Sequence, residues 1–130
     1  MRQRAGLMHG IEWIVEAHGC SPDRLRDVAA LDAVFAHIVA DMKLRAVAPT
    51  VWHCFPTNGG VTGVCVLAES HLTCHTFPEY GSACVNVFCC RPRDAWDFDR
   101  HLRRLLGAGS VSVRTITRQY TGAAAAAPSP

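Results

Sequence analysis

At 130 residues, 49% hydrophobic and 18% charged, the chain has the composition of one globular domain rather than of a disordered segment. A formal charge of +2, with arginines interleaved among Asp94, Asp97 and Asp99, argues against a nucleic-acid partner, and no apolar run reaches the ~20 residues of a membrane helix. Its seven cysteines are odd in number and no apolar signal core precedes them, so a reducing, cytoplasmic setting with small buried thiols is expected instead of a disulfide framework.

Residues 1–9 read as a lead-in, and Gly10 to Ala17, rich in Ile, Trp and Val, as a first strand. Ser21-Pro22 opens a helical stretch that runs to about Leu44 with a break near Val28. Leu31, Val34, Phe35, Ile38 and Met42 recur at the spacing of one apolar helix face. Ala46 to Phe55 is expected as a second strand, Pro56 to Gly60 as a turn, and Val61 to Ala68 as a third strand. Ser70 to Phe77 and Ser82 to Cys89 form the fourth and fifth, joined by a tight turn at Glu79-Tyr80-Gly81. A second helix spans Ala95 to Leu106 with Phe98, Leu102, Leu105 and Leu106 inward, stopped by Gly107 and Gly109. Val111 to Tyr120 is a sixth strand, and 121–130 a disordered tail. Short connections between consecutive strands imply an antiparallel sheet, and two helices cover one face of it. The expected fold is therefore an α+β two-layer sandwich, a single domain over 1–130, whose bare sheet face calls for a partner; a homodimer is expected.

The densest chemistry lies between Ala68 and Cys90. Ser70 is a weak nucleophile unless a base stands beside it, and no G-x-S-x-G elbow surrounds it. The hydroxyl is, however, adjacent to the carbonyl carbon of Glu69, where proximity can replace collision, an effect worth up to roughly 7–11 kcal/mol in favourable geometry. An amide-to-ester shift followed by β-elimination would release Glu69 as a carboxylate and leave a dehydroalanine that hydrolyses to a pyruvoyl group. That group is an electron sink of the same logic as pyridoxal phosphate.

The run Glu69-Ser70-His71-Leu72-Thr73, then His75-Thr76, then Pro78-Glu79-Tyr80-Gly81, then Phe88 and Cys90, closely resembles the prokaryotic S-adenosylmethionine decarboxylase proenzyme family. Weaker similarity extends from about Gly10 to Tyr120. The resemblance implies cleavage between Glu69 and Ser70 into chains 1–69 and 70–130, with a pyruvoyl cofactor derived from Ser70. By the same resemblance His75 serves processing, Cys90 is the general acid of decarboxylation, Glu79 binds ribose hydroxyls and Phe55 stacks on adenine. It also implies a sheet with helices on one face and a dimer with sites near the interface. The substrate would be S-adenosylmethionine, and the product the aminopropyl donor for spermidine. Phe77, Asn86, Thr62 and Glu12 stand where the family more often has Trp, Asp, Ser and His, and the Pro56–Gly60 turn is longer by a residue.

Two alternatives stay open on the sequence: the same chemistry on ornithine or arginine, and an inactive homologue serving as a binding or regulatory subunit. His71 is a second candidate base. His71 and His75 share a strand face but stand well apart, so no metal site is expected from them. Cys89 and Cys90 point to opposite faces, and the motif selects Cys90. Cys74 and Cys84 read as packing residues, and the arginines at 91–104 as a solvated face.

Overall fold

Residues 8–122 are described by the computed structural model. The elements in chain order are β1 (His9–His18), α1 (Pro22–Leu25), α2 (Val28–Asp41), β2 (Val51–Cys54), β3 (Val61–Leu67), β4 (Ser70–Phe77), β5 (Ser82–Cys89), α3 (Phe98–Leu106) and β6 (Ser110–Gln119). The strands form one antiparallel sheet in the order β2-β3-β4-β5-β1-β6. β4 therefore sits inside the sheet, with the hairpin to β3 on one flank and the hairpin to β5 on the other. The expected tail lies largely outside the described residues.

Strand alternation sorts the side chains. Trp13, Val15 and Ala17 of β1, Val61 and Cys65 of β3, Leu72 and Cys74 of β4, and Val85, Val87 and Cys89 of β5 all turn to one face. There they bury against Leu31, Val34, Phe35 and Ile38 of α2 and Phe98, Leu102 and Leu106 of α3. Both helices thus cover the same side, as the two-layer expectation requires. Trp52 lies on Phe35 with ring centroids 5.0 Å apart. It can do so because its register partner is Gly63, where a Cβ would come within 2.1 Å of the indole.

Helix boundaries follow their caps. The predicted break near Val28 is real: Ser21 caps α1, and Asp27 ends that single turn and caps α2 by accepting from Ala29 N–H at 3.0 Å. Asp97 caps α3, accepting from Arg100 N–H at 3.1 Å, so the helix starts at Phe98 instead of Ala95. It ends at Gly107, in the left-handed region at φ 71°.

Three expectations need correction. The second strand is shorter than Ala46–Phe55: only Val51–Cys54 pairs continuously, with an isolated bridge from Ala46 to Leu67. Pro49 offers no N–H to a ladder, and the chain leaves the sheet around it. Cys84 is not a packing residue; it alternates with buried Ala83 and Val85 and is exposed on the uncovered face. Among the arginines, Arg100, Arg103 and Arg104 are solvated, but Arg93 is half-buried and donates to the Met42 carbonyl at 3.1 Å.

The uncovered face is neither wholly polar nor wholly apolar. Val51, Val64, Val66 and Ile116 are exposed on it. Across its middle Glu12 accepts from Asn86 at 2.7 Å and pairs with Arg118, and Glu16 pairs with Arg114 at 2.8 Å.

Candidate active site

β4 carries chemistry at both ends. At its N-terminal end a two-residue turn, Ala68-Glu69, joins Leu67 of β3 to its register partner Ser70. On the other flank Ser70 pairs with Cys89. The Glu69 carbonyl oxygen accepts the backbone N–H of Cys90 at 3.0 Å, one rung beyond the paired strands. That bond withdraws charge from the carbonyl carbon next to the Ser70 hydroxyl. The Glu69 side chain meets Arg91 Nε at 3.3 Å, and the Cys90 thiol donates to Glu69 Oε1 at 3.8 Å.

The two thiols divide as alternation requires. Cys89 is 1% exposed on the helix side, in contact with the Ser70 hydroxyl and the Arg93 side chain. Burial pushes its thiol up, against the opposing pull of Arg93 and Ser70. Cys90 is half-buried and reachable from outside.

At the other end of β4 stands His75, on the uncovered face. It shares a 2.7 Å hydrogen bond between Nδ1 and the hydroxyl of Thr62, its neighbour on β3. Phe55 meets its ring edge-on at 5.4 Å, and Phe77 lies 4.5 Å away. Phe55 is 40% exposed and not part of the core. Glu79, in the β4–β5 turn, accepts from Asn58 Nδ2 at 2.8 Å. Asn58 belongs to the turn after Phe55 that closes through Phe55 N–H to the Gly60 carbonyl at 2.7 Å.

The structure therefore gathers Glu69, Ser70 and Cys90 at one end and His75, Phe55 and Glu79 at the other. His75 lies five positions along the strand from Ser70, about 16 Å at ~3.3 Å per residue, and the odd interval puts them on opposite faces. Within one protomer they do not touch. His71 is nearer in the chain but lies on the uncovered face, stacked on Phe88 at 5.3 Å. Among the described residues no cluster of three or more His, Cys, Asp or Glu is placed to hold a metal ion.

Sequence reasoning passed over Asn58, Arg91 and Arg93, and the pairing of Ser70 with Cys89. The last was readable: the four-residue connection Pro78–Gly81 sets Phe77 opposite Ser82 and so fixes the hairpin register, and register fixes which thiol faces the serine. The others depend on loops whose path no spacing rule gives.

An antiparallel α+β domain whose central strand begins with a serine, behind a polarised carbonyl, defines a class before any comparison is made. The sequence profile of the S-adenosylmethionine decarboxylase family matches residues 11–119. The chain is 37% identical over 108 residues to the S-adenosylmethionine decarboxylase proenzyme of Carboxydothermus hydrogenoformans, covering 81% of this chain and 82% of that one. It is equally similar, at 37% over 108 residues, to the proenzyme of Moorella thermoacetica, covering 81% and 83%. The fold is shared with the crystal structure of the adenosylmethionine decarboxylase from Aquifex aeolicus, at a TM-score of 0.71 and 20% identity over 90% of this chain and 96% of that one. The chain belongs to the S-adenosylmethionine decarboxylase family.

Proposed function

We propose that the chain is a decarboxylase of S-adenosylmethionine that matures by cutting itself between Glu69 and Ser70. The observation that carries the reading is the environment of that peptide: a hydroxyl on its C-terminal side and a Cys90 N–H on its carbonyl oxygen. The Ser70 Oγ adds to the Glu69 carbonyl carbon, the C–N bond breaks, and the amine of Ser70 takes up the hydroxyl proton. The negative oxygen of the tetrahedral intermediate would keep the Cys90 N–H as donor. A base then removes the α-proton of Ser70. The electron pair closes Cα=Cβ, and the Cβ–Oγ bond breaks with Oγ leaving in the new Glu69 carboxylate. Water replaces the amine as ammonia, and a pyruvoyl group heads chain 70–130.

The residues present fit that group. It would head β4, with half-buried Cys90 one residue past the end of β5, its N–H on the Glu69 carbonyl. When formed it supplies an electron sink for a substrate amine that loses carbon dioxide. Cys90 is the better proton donor of the two thiols because a substrate cannot reach Cys89, sealed beneath the sheet. Phe55, exposed and edge-on to His75, offers a platform for the adenine, and Glu79 an acceptor for ribose hydroxyls. A solvent-facing aromatic favours the nucleoside substrate over ornithine or arginine, which would leave it idle.

The two ends of β4 complete each other in a homodimer. Two uncovered faces packed about a two-fold axis would set the Ser70 end of one protomer against the partner's His75, and the exposed valines there would be buried. Among the described residues no helix is long and apolar enough to cross a membrane.

Intact mass of the purified protein tests the reading. Chains 1–69 and 70–130 are expected, the second carrying a borohydride-reducible carbonyl, together with carbon dioxide release from S-adenosylmethionine and not from ornithine or arginine. Ser70→Ala is expected to remain one chain; a variant still cut at 69/70 overturns the mechanism. An uncut wild-type chain favours a binding subunit.

A further inference from the structure

On the helix side of the Glu69–Ser70 peptide lies a cleft of about 320 Å³ that the chemistry above does not use. Three cationic residues line it: Lys43, Arg45 and Arg93, facing Glu69 and Ser70. Among the described residues none of the three is ion-paired, whereas Glu69 itself is paired with Arg91. Lys43, at φ 55°, is the left-handed residue that closes α2, with the Leu44 N–H on the Val39 carbonyl at 2.8 Å, and that turn presents it to the cleft. The cleft is also fastened to the scissile turn. Arg45 accepts the Ala68 N–H at 2.8 Å through its carbonyl, and Arg93 donates to Met42, next to Lys43, at 3.1 Å. Arg93 borders a second cleft containing Asp41 and Asp94, yet neither forms an ion pair with it.

Among the described residues the lining of the cleft holds three cations and a single carboxylate, Glu69, which is paired with Arg91; a second anion is absent. Self-cleavage would create one there. We propose that Lys43, Arg45 and Arg93 form the seat of the main-chain carboxylate released at Glu69, and that Arg93 speeds the elimination step by drawing off the leaving carboxylate. The inference rests on the cleavage reading and extends it. In the amide-to-ester shift, charge develops on the Glu69 carbonyl oxygen, where Cys90 N–H donates. In the elimination that follows, charge develops on a carboxylate, for which a single N–H is a poor match and a guanidinium a good one. The substrate's own carboxylate is the wrong occupant: cations that stabilise it would oppose the loss of carbon dioxide. Arg93 lies in chain 70–130 and its anchor Met42 in 1–69, so the same bond straps the two chains across the cut.

The test uses the full chain and its ester. Arg93→Gln is expected to pass through the acyl shift and then stall, with elimination roughly tenfold slower, below the 10²–10³ lost with a sole preorganised donor because two cations remain. Stalled protein has the mass of the intact chain, but hydroxylamine splits it into a Glu69 hydroxamate and a fragment headed by Ser70. Arg93→Lys should recover most of the rate. If Arg93→Gln proves unfolded by circular dichroism, the double variant Lys43→Gln/Arg45→Gln carries the same expectation from the other wall. Cleavage at the wild-type rate in these variants overturns the proposal, as does uncut chain that resists hydroxylamine. Wild-type protein that never cuts is a different result: it removes the self-cleavage reading and this inference with it.

Discussion

The backbone N–H of Cys90 donates to the carbonyl oxygen of Glu69 at 3.0 Å, while the thiol of the same residue reaches the Glu69 side chain at 3.8 Å. Under the proposed cleavage, one residue would serve the scissile peptide with its main chain and later proton transfer with its side chain. The two roles can be separated by substitution.

Cys90→Ala keeps the N–H and deletes the thiol. Self-cleavage is expected at close to the wild-type rate, with decarboxylation down by about 10²–10⁴, the usual worth of a positioned acid. Cys90→Pro deletes the N–H as well, and cleavage itself should slow by roughly 10²–10³. Gel time courses read the first step and carbon dioxide release the second. Should Cys89→Ala abolish turnover while Cys90→Ala does not, the thiols have been assigned to the wrong faces.

Thr62 holds the ring of His75 at 2.7 Å from Nδ1, which orients the imidazole. Thr62→Val preserves the shape and removes the hydroxyl. Processing should slow about tenfold, less than the roughly 10²–10⁴ that loss of the base itself would cost, and Thr62→Ser should restore it. His75→Ala should arrest maturation after the acyl shift. If His71→Ala is the variant that arrests, the base is the neighbour stacked on Phe88.

Much of this arrangement was legible beforehand. The bounds of β4 and β5 fall where alternation and the Pro78–Gly81 turn put them, because a strand with one buried face can tolerate no slip in register. Ser70 and His75, five apart on one strand, were bound to lie on opposite faces. Arg93 was not legible. It follows a proline beyond the end of β5, and its half-burial depends on where the Met42–Ala46 loop happens to run. Nor was the Asn58–Glu79 bond, which joins two turns that only the folded sheet brings side by side.

Glu12 makes the uncovered face sensitive to acid. Burial acts to raise its carboxyl, but hydrogen bonds from Asn86 and Arg118, with the charges of Arg118 and His71, outweigh it and hold the group below its ordinary value. A carboxyl lowered on folding contributes stability that is complete above the unfolded value of roughly 4.3 and is lost as pH falls through the folded one. The urea midpoint should therefore drop between pH 5 and pH 3 in the wild type, and drop less in Glu12→Gln. Equal drops would mean that the Glu12 network does not stabilise the fold.

Thr76 is a buried polar side chain, 1% exposed, and its hydroxyl ties the sheet to α1. Oγ1 accepts the Val61 N–H at 2.9 Å and donates to the Leu25 carbonyl at 2.7 Å, linking β3, β4 and the first helix at one atom. Thr76→Val keeps the volume and the β-branch but leaves a donor and an acceptor unpaired in the core. Each orphaned group costs about 1–3 kcal/mol, so a loss of roughly 2–6 kcal/mol is expected, with Thr76→Ser close to wild type. For a domain of this size that is a fall in Tm on the order of 10 °C, measured at one fixed protein concentration so that any self-association is held constant. A Thr76→Val protein as stable as the parent would mean that α1 is held by its apolar contacts around Leu25 alone, and that the hydroxyl contributes nothing to joining the helical layer to the sheet.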